Sequence, residues 1–111
     1  MLRSALLHSR TQRRRKKRKV LPMVTVEFAP ALQRHVPCPP RQVAPGSLAD
    51  VLAAAMQAAP GLRHYVLDDQ GHVRKHVAVF VGGTLHRRRE DLSLPVADGT
   101  RIHVIQALTG G

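Results

Sequence analysis

Residues 46–61 read GSLADVLAAAMQAAPG and form the clearest helical pattern in the chain. Ser47 is a favourable N-cap, and Asp50 follows where a carboxylate complements the free N–H groups and dipole of a helix start. Apolar side chains recur at helical spacing along one face, at Leu48, Val51, Leu52, Ala55 and Met56. We therefore predict one amphipathic helix that packs on a core and ends at Pro60-Gly61.

Extended segments precede this helix. Val24, Val26 and Phe28 alternate with polar residues, which is the period of a strand with one buried face. Pro30 ends that strand or marks a sheet edge, because proline cannot donate to a hydrogen-bond ladder. A second extended run at 34–43 is interrupted by prolines, so we expect it to be short or irregular. The two runs predict an N-terminal hairpin.

A connection and a second apolar strand follow the helix. Residues 61–73 form a long connection that closes with the turn sequence Asp68-Asp69-Gln70-Gly71. The segment HVAVFVGG at 76–83 is apolar at successive positions, which predicts a central strand buried on both faces. The polar residues 87–91 then form either a solvated loop or part of a partner surface.

The remaining elements set the order of the fold. A short segment at 92–96 and the turn Ala97-Asp98-Gly99-Thr100 lead to the last strand, RIHVIQAL at 101–108. The order is therefore strand, strand, helix, strand, short segment, strand. This order predicts an α+β fold in which one main helix packs on a mixed sheet of four to five strands. With its first and last strands placed centrally, such a sheet has the ubiquitin-like β-grasp arrangement.

The composition indicates one small domain after a basic leader. The chain has 111 residues, of which 43% are hydrophobic and 3% aromatic, so its core is built from Val, Leu, Ile and Ala. No apolar run approaches the roughly 18 residues of a membrane-spanning helix, so we expect no membrane span. The chain has a formal net charge of +11, and nine of its Lys and Arg residues lie in residues 1–22. Residues 23–111 contain nine Lys and Arg and seven Asp and Glu, so their net charge is only +2. The nearly neutral domain makes nucleic acid an unlikely partner for it.

The leader, residues 1–22, contains RRRKKRK and no acidic residue. We expect it to be disordered, because its like charges repel and it has no apolar periodicity. It fits a nuclear or RNA-binding tail, an Arg-rich organelle transit peptide, or upstream sequence before a natural start at Met23. We favour the third interpretation, since Met23 opens directly into the first strand, and assign the functional domain to 23–111.

Other reactive side chains have structural interpretations. Cys38 lies between two prolines, and as the one cysteine it cannot form an internal disulfide. It fits a small structural residue in a reducing compartment, for which we expect the cytoplasm. His72 and His76 are four apart on a predicted hairpin rather than a helix, so they do not form a metal-binding pair. We expect no metal site, and the other histidines show no ligand spacing: His8, His35, His64, His86 and His103.

The sequence closes with Ala107-Leu108-Thr109-Gly110-Gly111. The two glycines lack Cβ atoms, so a threadlike tail of this kind can enter a narrow channel in another protein. Its terminal carboxylate is unreactive until ATP adenylates it, after which sulfur can replace an oxygen and give a thiocarboxylate. A frayed terminus is the alternative interpretation.

Residues 23–111 resemble the MoaD/ThiS family of β-grasp sulfur-carrier proteins. Four segments in order carry the resemblance: VTVEFAPAL at 24–32, SLADVLAAA at 47–55, RKHVAVFVGG at 74–83 and PVADGTRIHVIQALTGG at 95–111. The connection at 62–76 is longer than in thiamine-type carriers and resembles those that serve molybdopterin synthase or cysteine biosynthesis. Gln106 departs from a proline common in those two groups, and Gly82-Gly83 stands where Asn or Asp is frequent, so the pathway stays open.

The resemblance implies a carrier protein rather than an enzyme. A partner of the ubiquitin-activating type would use ATP to adenylate Gly111, and the resulting thiocarboxylate would deliver sulfur to a downstream synthase. Leu108, Thr109 and Gly110 would be held in the partner by backbone and apolar contacts. Apolar side chains on the exposed face of the sheet would dock the activating enzyme, and no cofactor would be bound by the carrier itself.

Two other functions stay open at this point. A ubiquitin-like modifier, joined to protein lysines through Gly111, would use the same activation chemistry. A basic-tailed binding module would instead use RRRKKRK to hold nucleic acid or an acidic surface, and its binding would weaken steeply with salt. Phe28, Tyr65 and Phe80 form no visible base-stacking platform, which disfavours this second alternative.

Overall fold

The computed structural model describes residues 21–34 and 36–107. Residues 1–20 of the predicted leader, with RRRKKRK, therefore lie outside the described residues, as do His35 and residues 108–111. The strands of the described chain are β1 (Val24–Phe28), β2 (Arg41–Val43), β3 (Gly46–Ser47), β4 (Val77–Val81), β5 (Thr84–Leu85), β6 (Pro95–Val96) and β7 (Arg101–Gln106). Its helices are α1 (Pro30–Gln33), α2 (Leu48–Ala55) and α3 (Pro60–Val66).

The main sheet is mixed and has the strand order β2-β1-β7-β4-β5. β1 and β7 run parallel, with Thr25 opposite Arg101 and Phe28 opposite Val104, whereas the other pairs are antiparallel. The last strand is thus the centre of the sheet, and the first strand is its neighbour. A second, two-stranded sheet pairs β3 with β6. The predicted N-terminal hairpin, the mixed sheet and the central placement of first and last strands are confirmed.

Helix α2 begins as the sequence predicts. The Ser47 hydroxyl accepts a hydrogen bond from the Asp50 amide at 3.1 Å, which satisfies one of the free N–H groups of the first turn. The predicted apolar stripe of α2 is buried against β1 and β7 side chains in one core. Its members are at most 1% exposed: Leu48, Val51, Leu52, Ala55 and Met56. No helix in the described part of the chain is both long and apolar enough to cross a membrane.

Pro60 has a different role from the predicted one. The sequence predicts that Pro60-Gly61 ends the main helix and that a long connection follows at 61–73, but α2 ends at Ala55 and Pro60 begins α3. Proline is favoured at the first helical turn, where its missing N–H would have no partner. Leu62 and Val66 anchor α3 in the core, both fully buried. The prediction that Pro60-Gly61 ends the main helix was therefore wrong, and the connection at 61–73 begins with a helix that the sequence did not predict.

The prediction that β4 is buried on both faces was also wrong. Val77 and Val79 are buried, at 3% and 1% exposure, but Ala78 and Phe80 on the opposite face are only partly covered. β4 does lie inside the sheet, between β7 and β5. The helices and the core therefore occupy one side of β4, and its apolar residues on the other side are accessible.

Candidate functional site

The candidate site begins where β7 ends. Gln106 pairs with Val77 at the end of the central strand, and the Ala107 amide then donates a 2.7 Å hydrogen bond to the His76 carbonyl oxygen. Ala107 is the last residue that the structure describes in this direction. The four residues predicted to form the working tail lie outside the described residues: Leu108, Thr109, Gly110 and Gly111. What the structure gives is the surface from which that tail starts.

An apolar patch covers the open face of the sheet beside this point. Successive residues of a strand point to opposite faces, so Ala78 and Phe80 lie opposite the core, as does Ile105 of β7. Ala78 is the register partner of Ile105, and Phe80 is the partner of Leu85. We call these four half-buried residues, Ala78, Phe80, Leu85 and Ile105, the apolar patch. The predicted apolar surface on the exposed sheet face is present in this form.

A charged row crosses the same face farther from Ala107. Arg101 donates a hydrogen bond to the Glu27 carboxylate at 2.5 Å, and His103 Nε2 lies 3.4 Å from the same oxygen. The hydrogen bond from Arg101 holds the pKa of Glu27 below its ordinary value of 4.5. Sequence reasoning missed this row because Glu27 and Arg101 are 74 positions apart. The parallel pairing of β1 and β7 brings them together.

Five cations form a basic rim at the edge of the apolar patch, on the two loops that precede β4 and follow β5: Arg74, Lys75, Arg87, Arg88 and Arg89. The loops are joined by backbone groups, because the Val73 amide donates to the Arg89 carbonyl at 3.1 Å. The Arg89 guanidinium donates to the Lys75 carbonyl at 3.3 Å, and Arg74 Nε donates to the His64 carbonyl at 2.7 Å. The fold thus gathers cations that the sequence keeps apart.

The carboxylates of these loops are held by their own backbone. Asp68 accepts hydrogen bonds from the Gln70 and His72 amides, each at 2.9 Å, and the bond from His72 is the main reason that the pKa of Asp68 is lowered. The hydroxyl and amide of Ser93 donate to Asp91 and lower its pKa in the same way. These acids stabilise turns, as the predicted Asp-rich turn at 68–71 requires.

Two adjoining depressions join these surfaces. A cleft of about 440 Å³ lies between the two loops and is lined by Arg74, Lys75 and Arg89, among others. A groove of about 570 Å³ shares Arg89 with it and continues over the apolar patch to Ala107. Ala107, from which the tail starts, therefore lies at the end of a groove that is apolar on one side and basic on the other.

The other candidate residues have structural roles. Cys38 is 1% exposed, and its Sγ lies 3.8 Å from the Ala55 carbonyl oxygen, so it is a buried core residue as predicted. His76 Nε2 lies 3.0 Å from the Tyr65 carbonyl and His86 Nε2 lies 2.8 Å from the Asp91 carbonyl, which makes each ring nitrogen a donor to backbone. Among the described residues no three His, Cys, Asp or Glu side chains are grouped to hold a metal ion.

The fold matches solved structures, although no family model matches the chain and no curated protein matches it significantly. The crystal structure of Haloferax volcanii small archaeal modifier protein 1 matches with a TM-score of 0.65 at 19% identity, covering 79% of this chain and 100% of that one. The Amycolatopsis orientalis BexX/CysO complex gives 0.66 at 18% identity, with 79% and 99% covered. The complex of subunits 1 and 2 of Helicobacter pylori molybdopterin-converting factor gives 0.53 at 21%, with 80% and 99% covered.

At these identities the likeness establishes the fold. The chain has the ubiquitin-like β-grasp fold, as the sequence predicts, and shares it with these three proteins. Each of the three matching chains is covered almost from end to end, so the likeness extends over whole domains rather than over a shared strand and helix.

Proposed function

We propose that this chain is a sulfur carrier whose C-terminal glycine, Gly111, is adenylated and then converted to a thiocarboxylate. The thiocarboxylate would donate sulfur in the biosynthesis of molybdopterin or of cysteine. The protein would act as a partner of enzymes, without catalysing a reaction alone. A buried lone thiol at Cys38 fits a reducing compartment, and we propose the cytoplasm.

The observation that carries this proposal is the position of Ala107. β7 is the central strand, and its last pairing with Val77 and the bond from Ala107 to His76 hold the chain up to that residue. The next residues in sequence are Leu108-Thr109-Gly110-Gly111, which have little side-chain volume at their end. A tail with little side-chain volume that begins at the hydrogen-bonded end of the central strand suits insertion into another protein's active site.

The chemistry assigned to the tail needs an outside activator. Hydroxide is a poor leaving group, so the Gly111 carboxylate does not react with a sulfur nucleophile directly. Attack of a carboxylate oxygen on the α-phosphorus of ATP would form an acyl adenylate and release pyrophosphate. A hydrosulfide equivalent could then attack the carbonyl carbon and displace AMP. Adenylation would be supplied by a ubiquitin-activating-type enzyme, which would bind the ATP.

The apolar patch is the surface we assign to docking that enzyme. Phe80 and Ile105 are half-buried on the open face and are joined by the 570 Å³ groove to Ala107. Apolar area that is accessible beside a functional terminus is typical of protein contact surfaces. Two of the matching structures, BexX/CysO and the molybdopterin-converting factor subunits, are complexes of two proteins. A downstream sulfur-accepting synthase would be the second partner.

A modifier function is the alternative that one comparison favours. Haloferax volcanii small archaeal modifier protein 1 shares the fold over its full length. A modifier would also be adenylated at Gly111, but the acyl group would end on a lysine amine of another protein. The two functions therefore differ in the product, and the mass of that product separates them.

A reconstitution tests the proposal. The full chain is incubated with ATP, a sulfide source and a candidate activating enzyme, and its intact mass is measured. We expect a mass gain that matches one oxygen replaced by sulfur. A chain lacking Gly111, and a chain with one residue added after Gly111, should show no gain while keeping the same thermal unfolding. An equal gain in the extended chain, with no trimming of the added residue, would refute the proposal.

A further inference from the structure

We propose that the basic rim beside Ala107 is a docking surface for an acidic polypeptide segment, next to the apolar patch but of different chemistry. We assign this segment to the enzyme that acts on the tail, and that assignment rests on the proposed function. The surface itself does not, because it is defined by the arrangement of the loops at 74–75 and 87–89.

The structure fixes the two loops that carry the basic rim and the side chains of two of its cations, Arg74 and Arg89. Val73 and Arg89 are joined by the 3.1 Å bond between amide and carbonyl, and the Arg89 guanidinium bonds the Lys75 carbonyl. Arg74 is fixed by its 2.7 Å bond to the His64 carbonyl. Because Arg74 and Arg89 are already held by backbone groups, they lose less conformational entropy when a partner binds.

Two cations of this surface have no partner within the described chain. Arg88 lies 3.8 Å from Glu90, but neither the Lys75 ammonium nor the Arg87 guanidinium makes an ion pair or a side-chain hydrogen bond with a described residue. Both residues are exposed. They are therefore free to pair with carboxylates brought by another molecule.

The carboxylates near these cations do not neutralise them. Asp68 and Glu90 also line the cleft between the loops, but Asp68 is bonded by two amides and Glu90 faces Arg88. Four cations therefore line the cleft and the groove together: Arg74, Lys75, Arg87 and Arg89. The two acids that line them already have partners. Elsewhere on the open face the charges pair internally, as Arg101 does with Glu27. Lys75 and Arg87 therefore add unpaired positive charge beside Ala107, where the tail starts.

The setting favours a protein over a nucleic acid. The basic rim borders the apolar patch, which is the arrangement of an interface with an apolar centre and a charged edge. Binding of single-stranded nucleic acid uses stacked aromatic rings. Here the Tyr65 ring is packed edge-on against His76, with centroids 4.5 Å apart, and Phe80 offers a single half-buried ring rather than a row of stacked rings. An acidic segment would raise the association rate and fix the orientation in which the tail is presented.

The test uses the full ¹⁵N-labelled chain and octaglutamate as the probe. Amide shift changes are mapped during titration at low salt, with no ATP and no activating enzyme present. We expect changes at the amides of 74–76, 86–89 and Ala107, and these changes should weaken when salt is raised from about 50 to about 200 mM. Changes at the amides of residues 1–22 are scored separately, since the leader carries its own charge.

The variant Lys75→Gln with Arg87→Gln removes the two unpaired cations without touching a bond that the structure records. It should weaken the binding read at the Ala107 amide at least about fivefold, because each lost contact is a charge-assisted bond. The matched control is Thr84→Glu with Ala97→Glu, which lowers net charge equally at two exposed positions, one in β5 and one in the turn before β7, at the opposite end of the sheet. The control should retain most of the binding.

Three results would overturn the proposal. The first is an absence of shift changes at the mapped amides. The second is a Lys75→Gln/Arg87→Gln variant that binds octaglutamate as tightly as the unchanged chain. The third is an octanucleotide of the same charge that binds at those amides more tightly than octaglutamate. Because the readout is binding, it is independent of the carrier chemistry. A chain that never forms a thiocarboxylate can still pass this test, and a working carrier can fail it.

Discussion

The Ala107 amide nitrogen lies 2.7 Å from the His76 carbonyl oxygen. This bond continues the β4–β7 ladder by one residue beyond the last paired position, Gln106 opposite Val77. The tail predicted to carry the chemistry therefore starts from a backbone that is hydrogen-bonded up to its first residue. The same bond places that start next to Lys75 and the groove along the apolar patch.

The first prediction concerns this bond. Ala107→Pro removes the amide donor, and the loss of one hydrogen bond should lower the free energy of unfolding by about 0.5–1.5 kcal/mol. The rate of thiocarboxylate formation should fall by a larger factor than so small a stability loss explains, because the tail no longer starts from a fixed point. Urea unfolding and the time course of the mass gain measure the two effects.

Ala107→Ser is the matched control, since it keeps the amide donor. It should behave as the unchanged chain in both measurements. If Ala107→Pro forms the thiocarboxylate at the unchanged rate, the bond to His76 has no part in presenting the tail.

The second prediction tests the core under α2. Leu52 is fully buried, so Leu52→Ala should destabilise the domain by about 2–5 kcal/mol through lost apolar burial and the cavity that remains. Ala54 lies on the exposed side of the same helix, and Ala54→Ser should cost less than about 0.5 kcal/mol. Equal losses in the two variants, measured by urea unfolding, would mean that α2 does not pack as described.

The third prediction is a pH dependence. The Arg101 hydrogen bond lowers the pKa of Glu27, so the ionised carboxylate stabilises the folded state above the unfolded pKa, near 4.5. That contribution is lost as the pH falls through the lower, folded pKa of Glu27. An NMR titration of the Glu27 carboxyl should give a pKa below 4.5 in the unchanged chain and a higher one in Arg101→Gln.

The stability difference between these two chains gives a check on the sign. The unchanged chain should be the more stable at neutral pH, and the difference should shrink as Glu27 becomes protonated. A difference that grows toward acid pH would show that Arg101 stabilises the fold by another route.

The fourth prediction addresses the leader. Met23 is held by backbone contacts, since its amide donates to Asp98 Oδ1 and its carbonyl accepts from the Gly99 amide, both at 2.9 Å. Removal of residues 1–22 should therefore change the free energy of unfolding by less than about 0.5 kcal/mol. A chain that begins at Thr25 also loses Met23 and the fully buried Val24, and it should be clearly less stable. A large loss on removing 1–22 alone would refute the domain boundary at 23.

Much of the fold follows from local patterns. Ser47, Asp50 and the apolar stripe after them predict α2 because capping and periodicity act within a few residues. The alternation at Ile102 and Val104 predicts β7 for the same reason. Pro60 was misassigned because proline fits both the end of one helix and the start of the next, and the sequence around it carries no further signal that distinguishes them.

The candidate site was harder to predict because it depends on distant contacts. Phe80 has the apolar character of a core residue, and it stays accessible because the described helices pack on the side of β4 that carries Val77 and Val79. The basic rim needs the bond between Val73 and Arg89, which are 16 positions apart. The triple arginine at 87–89 predicts a solvated loop or part of a partner surface, but nothing local indicates that Lys75 lies beside it.

The most direct test of the central claim is the intact mass of the chain purified from its own cells. The account predicts a fraction whose mass matches one oxygen replaced by sulfur, and this fraction should be absent when Gly111 is deleted. A chain linked to lysines of other proteins, with no sulfur-containing form, would contradict the carrier function and support the modifier. A chain whose mass is unchanged, in cells where the activating enzyme is active, would contradict activation at Gly111 altogether.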